Sequence, residues 1–563
     1  MNLTEAQKWV GKDNFTDVVG VTRRDFLTGT LTAGLATGAG LGSLYFGYGK
    51  SVGNPLRVGV LGTGDEGSVL IGAHNPDYLN VVGIADIRPY NIFRGFHGDV
   101  SSASALTARP GLMSKYKWST EDAARKQVKV YQAYEDLLAD KNIEAVIIAL
   151  PLHLHAEASI KAMRAGKHVL TEKLMGHSIH ECKEMGRVAK EAGKILATGH
   201  QRHYSILYDN AVHTIGKARL IGELHSIRAQ WHRGNLPGKD SWKPPLPDDE
   251  SLAKRLMGWK KDLETAKPAD IDGLTKKIAQ LDAQIADTAI DAAKHGYTQM
   301  TLPDGSSRSP MEELIRWRLW NRTGGGLMAE LGSHQLDAAG IFVSAMHGEG
   351  KKVKPLTVTA VGNRSLFPAD REIDDHVYCM YEYPAPGYAE DKNKKIVVTY
   401  SSINGNGFGG YGEVVLGTKG TLVLEQEQDV MLYKDSAKDT RVTVGKAKDG
   451  TPTLDTTESG GGGGGGYAAS GPGGAAAAPP SRGYTEEMEH WAWCIRNPSP
   501  ENQPRCKPDV AIADAVIALV SNIALANPTT QSRIEFRPEW FDIASDETPE
   551  GVKPDVNRDR YRA

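Results

Sequence analysis

Leu56-Arg57-Val58-Gly59-Val60-Leu61-Gly62-Thr63-Gly64-Asp65-Glu66-Gly67 decides the fold of this 563-residue chain. The first six residues form an apolar run of buried-strand length, and the glycines that follow fall at the G-x-G-x-x-G spacing. Gly62 permits a tight turn, Gly64 lets the backbone approach a pyrophosphate, and Gly67 lets the next helix pack closely on the strand. The start of that helix offers free N–H groups to phosphates. Residues 81–85 read as a second strand ending at Asp86, 24 residues after Gly62. An acid there accepts hydrogen bonds from ribose hydroxyls and repels a 2′-phosphate. The expected ligand is therefore NAD, with NADP possible because Arg88 stands two residues on. Gly62, Gly64, Asp65, Glu66, Gly67, Asp86 and Arg88 are the first cofactor-binding candidates.

Outward from this turn, strand and helix alternate. Residues 143–150, 167–171 and 195–199 read as buried strands, and 156–165 and 179–192 as helices. Residues 92–127 read as an irregular insertion. Alternation of this kind predicts a doubly wound parallel sheet, an α/β Rossmann domain over 55–202. Residues 203–540 form a second domain, with 541–563 as a tail. Within it, 223–231 and several runs between 356 and 433 read as strands of a mixed or antiparallel sheet. Residues 237–310 form an insertion, whose 251–296 part has helical periodicity and is expected as a hairpin on the surface. The Gly/Ala/Ser/Pro tract 459–482 cannot bury a core and is expected as a disordered loop. Residues 486–495 and 509–526 read as closing helices.

The first 50 residues read as a targeting segment. Thr22-Arg23-Arg24-Asp25-Phe26-Leu27 precedes a Gly-, Ala-, Thr- and Leu-rich stretch, the pattern of a twin-arginine export signal. The expected location is periplasmic or secreted, with no membrane contact beyond this segment. A net charge of −3 argues against a nucleic-acid partner. Of the four cysteines, none forms C-x-x-C, so no metal is expected; Cys494 and Cys506 could bridge in an oxidising compartment.

Two further stretches carry chemistry. Thr171-Glu172-Lys173-Leu174 ends a predicted parallel strand, where ligands bind in open α/β sheets. Lys173 there can hydrogen-bond a substrate hydroxyl and favour its deprotonation. Gly324-Gly325-Gly326 opens a predicted helix on which Glu330, His334 and Asp337 line one side. A carboxylate one turn from an imidazole is expected to orient it and raise its pKa toward neutrality. Glu330 and His334 alone lack the ligand set of a zinc site.

Taken in order, the glycine fingerprint, Ala149-Leu150-Pro151-Leu152-His153-Leu154-His155, the run Gly166 to Lys173, and the Gly-rich helix with Glu330 and His334 resemble the glucose–fructose oxidoreductase / inositol dehydrogenase / rhizopine-catabolism (Gfo/Idh/MocA) family. The similarity covers most of 55–235 and 315–530. It implies a Rossmann domain plus a C-terminal α/β domain with a large open, mostly antiparallel sheet, which often mediates dimer or tetramer formation. It implies carbohydrate substrates, catalytic roles for Lys173, His334, Glu330 and Asp337, and cofactor contacts from Leu150, Pro151, His155, Glu172, Lys173 and Gln201. His203 would border the same site. Leu174 stands where the family has proline, Glu330 where it has aspartate, and Leu152 where asparagine is common.

Because nicotinamide dinucleotides are scarce outside the cytoplasm, an exported member must hold its cofactor tightly and recycle it in place. The expected function is hydride transfer between such a cofactor and a sugar, polyol or derivative. An NAD-assisted, redox-neutral glycosidase or lyase and a non-catalytic sugar-binding or assembly protein are the alternatives.

Overall fold

The computed structural model describes residues 3–27, 41–49, 52–216, 218–302, 304–348, 352–434, 438, 443–446, 452–455, 482–527 and 529–562. Near-continuous apolar runs form the strands of the first sheet: β1 (Leu56–Leu61), β2 (Leu79–Ala85), β3 (Lys129–Tyr131), β4 (Ala145–Ile148), β5 (His168–Glu172) and β6 (Leu196–Gly199). All are parallel, in the order β3-β2-β1-β4-β5-β6. This is a doubly wound sheet whose strand order reverses beside β1, so the crevice at the carboxyl ends of β1, β4 and β5 is the place for a ligand. Strands buried on both faces need no alternation, which is why their runs are apolar throughout.

Residues 92–127 are more ordered than the sequence suggested. Helices Pro89–His97, Ala103–Ala108, Gly111–Tyr116 and Glu121–Arg125 fill them, and β3 follows at the sheet edge. Ser102 and Thr120 cap two of these helices through their side chains, so short polar segments become helical without strong periodicity.

The second sheet contains β7 (Leu224–Arg233), β10 (Thr357–Asn363), β11 (His376–Pro384), β12 (Lys395–Asn404), β13 (Tyr411–Gly417), β14 (Gly420–Glu425), β15 (Asp429–Lys434) and β18 (Arg533–Glu535). The small hairpins β8/β9 (Met300–Thr301, Ser307–Arg308) and β16/β17 (Thr443–Lys446, Pro452–Asp455) stand apart. The order is β15-β14-β13-β7-β12-β11-β10-β18, antiparallel throughout except for the parallel pair β7–β12. One face packs on the helices Ser333–Ala345 and Pro508–Ala526. The latter is long and apolar enough to cross a membrane by composition, yet 67% of that apolar window is buried within the protein. The other face leaves Val361, Tyr378 and Met380 exposed.

The two halves are interlocked. The helix Tyr484–Arg496 brings Met488, Trp491 and Ala492 into the same core as Leu56, Val58 and Ile147 of the Rossmann sheet. Residues 541–562 also return to that domain: Arg558 Nε donates to Glu184 at 2.8 Å, and Arg560 pairs with Glu181. At the other end, the helix Glu5–Leu27, which carries Arg23 and Arg24, lies against β15. Lys8 pairs with Glu425 at 2.7 Å, and Asn14 Nδ2 donates to the Leu432 carbonyl at 3.0 Å. The side chains of Arg23 and Arg24, most of the following stretch to residue 40, and residues 459–481 of the glycine tract lie outside the described residues. The four cysteines are buried free thiols, and Cys494 and Cys506 are not bridged.

Candidate active site

The glycine turn has the geometry its spacing requires. Gly62 has φ +86°, and a Cβ there would lie 2.4 Å from the Ala149 carbonyl oxygen. A Cβ on Gly67 would lie 2.0 Å from the Gly62 oxygen. At Gly64 the nearest atom would be Asn91 Nδ2, 3.7 Å away. Two glycines are thus consumed by packing, and the middle one faces open space at the start of the helix Asp65–Ala73, where no side chain caps the amide groups. That cradle fits a dinucleotide pyrophosphate. Asp65, in the first turn, pairs with Arg94 Nη1 at 2.6 Å. Asp86 is held beside the turn: Oδ2 accepts from the Thr63 N–H at 2.8 Å, and Oδ1 from the Arg88 N–H at 2.9 Å. Arg88 is already engaged, its Nε donating to Asp287 at 2.8 Å.

Leu150 lies beneath Gly62, and Pro151 starts the short helix Leu152–Leu154. His155 is buried with its ring nitrogens 2.8 Å from the carbonyls of Leu174 and Leu150. It braces the two loops from behind, with both ring nitrogens engaged.

At the end of β5, Lys173 Nζ reaches the second domain and donates to the Glu330 carbonyl at 2.9 Å. The Lys173–Leu174 peptide is cis, and Leu174 is buried. Glu172 is buried and its neighbour Glu66 half-buried, each with one shielded carboxylate oxygen lacking a hydrogen bond among the described residues. Burial, then the Glu66 charge, pushes the Glu172 carboxyl up to about 8; burial also raises Glu66. Folded Glu172 therefore keeps a proton that the unfolded chain releases near pH ~4.3. Its contribution to stability is complete below that pH and is lost as pH rises toward 8. Glu172→Gln removes this loss. Urea unfolding should show the variant gaining on wild type by about 1.4 kcal/mol per pH unit across that window. A gap that stays constant with pH would contradict the assignment.

Glu330 and His334 do not form the expected pair. Residues Met328–Gly332 make a π-helical turn before the α-helix Ser333–Ala345, which breaks the regular one-turn spacing. The Glu330 carboxylate goes to Arg318 Nε at 2.9 Å. Asp337 goes to His203 Nε2 at 2.8 Å and Lys352 Nζ at 3.2 Å. Among the described residues nothing hydrogen-bonds the His334 ring. Burial, then the charges of Lys173 and Arg202, holds its pKa well below the ordinary value, the reverse of the expected rise. His334 is accordingly held as a neutral imidazole. Trp231 lies 5.4 Å from it, ring centre to ring centre, and stacks on Tyr411 at 4.3 Å.

Gln201 is buried, and its Oε1 has no hydrogen-bond partner among the described residues. Its neighbour Arg202 binds Glu427 at 2.7 Å. Arg318, Trp231, Tyr411 and Tyr484, which approaches Glu66 and Glu172, were not expected from the sequence. They come from separate segments and carry no spacing signal.

Comparison with known proteins agrees with the N-terminal geometry. Residues 56–200 match the GFO_IDH_MocA family model, described as an oxidoreductase family with an NAD-binding Rossmann fold. An uncharacterised oxidoreductase of Schizosaccharomyces pombe is 38% identical over 128 residues, 22% of this chain and 34% of that protein. The 1,5-anhydro-D-fructose reductase of Ensifer adhaerens is 35% identical over 156 residues, 28% of this chain and 44% of the reductase. The scyllo-inositol 2-dehydrogenase (NADP(+)) of Bacillus subtilis is 31% identical over 176 residues, 31% of this chain and 39% of the enzyme. The chain thus matches less than half the length of each of these relatives. A solved aldose–aldose oxidoreductase of Caulobacter crescentus, complexed with glycerol, superposes with a TM-score of 0.49 at 13% identity, covering 86% of this chain and all of that one.

Proposed function

We propose that this chain, whose residues 56–200 carry the NAD-binding fold of the oxidoreductase family, transfers hydride between a tightly held NAD(H) and a sugar, polyol or derivative, and that it works outside the cytoplasm after twin-arginine export. The observation that carries the reading is the placement of Lys173. It follows directly on β5 and reaches the turn that bears Glu330, four residues before His334.

When bound, the nicotinamide supplies the hydride acceptor or donor. Lys173 offers an N–H to the reacting substrate oxygen and stabilises negative charge on it. In the oxidative direction, neutral His334 takes the hydroxyl proton as hydride leaves the same carbon; in the reductive direction it returns that proton. Arg318 holds the Glu330 carboxylate away from the His334 ring. The stacked Trp231 and Tyr411 offer an apolar platform for the C–H face of a sugar ring. The exposed residues Val361, Tyr378 and Met380 suit the open sheet to self-association as a dimer or tetramer.

Mass spectrometry of ligands released from freshly purified protein should find NAD or NADH. A sugar panel should then change the fluorescence of the bound nicotinamide without added cofactor. Protein that releases no nucleotide and binds none on titration would overturn the reading. Net release of an aglycone with no steady change in bound NADH would instead favour the redox-neutral glycosidase.

A further inference from the structure

The helical insertion, expected on the surface, is anchored at the nucleotide site. Its two long helices, Glu250–Glu264 and Pro268–Ala286, project outward with mostly exposed faces. Its base packs against the helix Pro89–His97 that follows β2. There Gln280 accepts from the Val100 N–H at 2.8 Å and donates to Asp99 at 3.0 Å. Tyr297 and Ala292 are buried in a small core that also takes in Ile87, one residue beyond Asp86.

The decisive contact is Asp287. Its side chain is 0% exposed, and it receives Arg88 Nε at 2.8 Å and the Tyr90 N–H at 3.0 Å. Asp86 stands beside the glycine turn, held by the Thr63 and Arg88 N–H groups. In a fold of this kind an arginine just after that acid is the group able to accept a 2′-phosphate. Here it is neutralised by a carboxylate from a segment some 200 positions away, which brings a second negative charge near Asp86.

We propose that the insertion is the cofactor-specificity element of this chain: Asp287 captures Arg88 and thereby reserves the site for NAD(H) against NADP(H). The proposal rests on the reading of the crevice as a working NAD site.

The test is binding rather than turnover. Full-length protein is stripped of nucleotide and titrated with NADH and NADPH, followed by nicotinamide fluorescence. Wild type should favour NADH by about 100-fold, a coupling typical of a desolvated charge mismatch. Asp287→Asn keeps an acceptor for the Tyr90 N–H but removes the charge. It should tighten NADPH binding about tenfold and leave NADH within about threefold. Adding Arg88→Met to that variant should return NADPH affinity to the wild-type level. Arg88→Met alone, which needs no change in the insertion, should leave NADPH affinity as in wild type, since the guanidinium is already taken. An unmoved NADPH/NADH ratio in Asp287→Asn, or weaker NADPH binding in Arg88→Met alone, would overturn the proposal. Wild type that binds neither nucleotide would overturn the NAD reading itself, while wild type that binds both equally would sink this inference and spare that reading.

Discussion

Lys173→Met is expected to lower kcat for sugar oxidation by about a thousandfold. The ammonium is the cation that β5 brings across the crevice, and its present partners are the carbonyls of Glu330 and Ala329, at 2.9 and 3.4 Å. Methionine preserves the length and apolar stem, so packing survives and the charge does not. Substrate KM should move less than kcat, because charge on the reacting oxygen is greatest in the transition state. The variant also loses a charge-assisted link between domains, of the order of 2 kcal/mol, which a denaturant melt would register separately. Wild-type kcat in Lys173→Met would remove Lys173 from the chemistry and with it the main support for an oxidoreductase.

The second large effect is expected at the glycine turn, where two neighbouring substitutions should fail differently. Gly67→Ala places a methyl 2.0 Å from a backbone oxygen that cannot move without displacing β1. Overpacking of a rigid element should cost about 3 kcal/mol, and the protein should be less soluble and free of nucleotide. Gly64→Ala meets nothing closer than 3.7 Å and should fold with a wild-type melting temperature in the stripped state. Its methyl occupies the space reserved for the pyrophosphate, so nucleotide retention should still be lost. Calorimetry on stripped protein, paired with nucleotide titration, separates the two. Unimpaired NADH binding by Gly64→Ala would mean that the cofactor does not cross this turn.

The sequence made the parallel strands legible for a physical reason. Strands covered on both faces become unbroken apolar runs, and the glycines between them answer to steric demands that no other residue meets. β3 escaped because it is three residues long and begins with an exposed lysine. The site was legible only as far as single motifs extend. Lys173 reaches the turn that bears Glu330, but the pairings between motifs differ from those the motifs implied. A π turn carries no periodic signature, so the partnership of Glu330 with Arg318 could not be read from an assumed α-helical spacing. Arg88 looked like a receptor for a phosphate because its partner, Asp287, belongs to a segment whose composition suggested only a solvated hairpin.

The return of the helix Tyr484–Arg496 to the Rossmann core has a temporal meaning. Met488 and Trp491 cover strands that leave the ribosome hundreds of residues earlier, and Tyr484 approaches the acid pair Glu66 and Glu172. An emerging N-terminal half therefore lacks one wall of its own coenzyme chamber until synthesis is almost finished. Loading must wait for the completed polypeptide, and a ribosome-stalled fragment ending before residue 484 should capture no NAD.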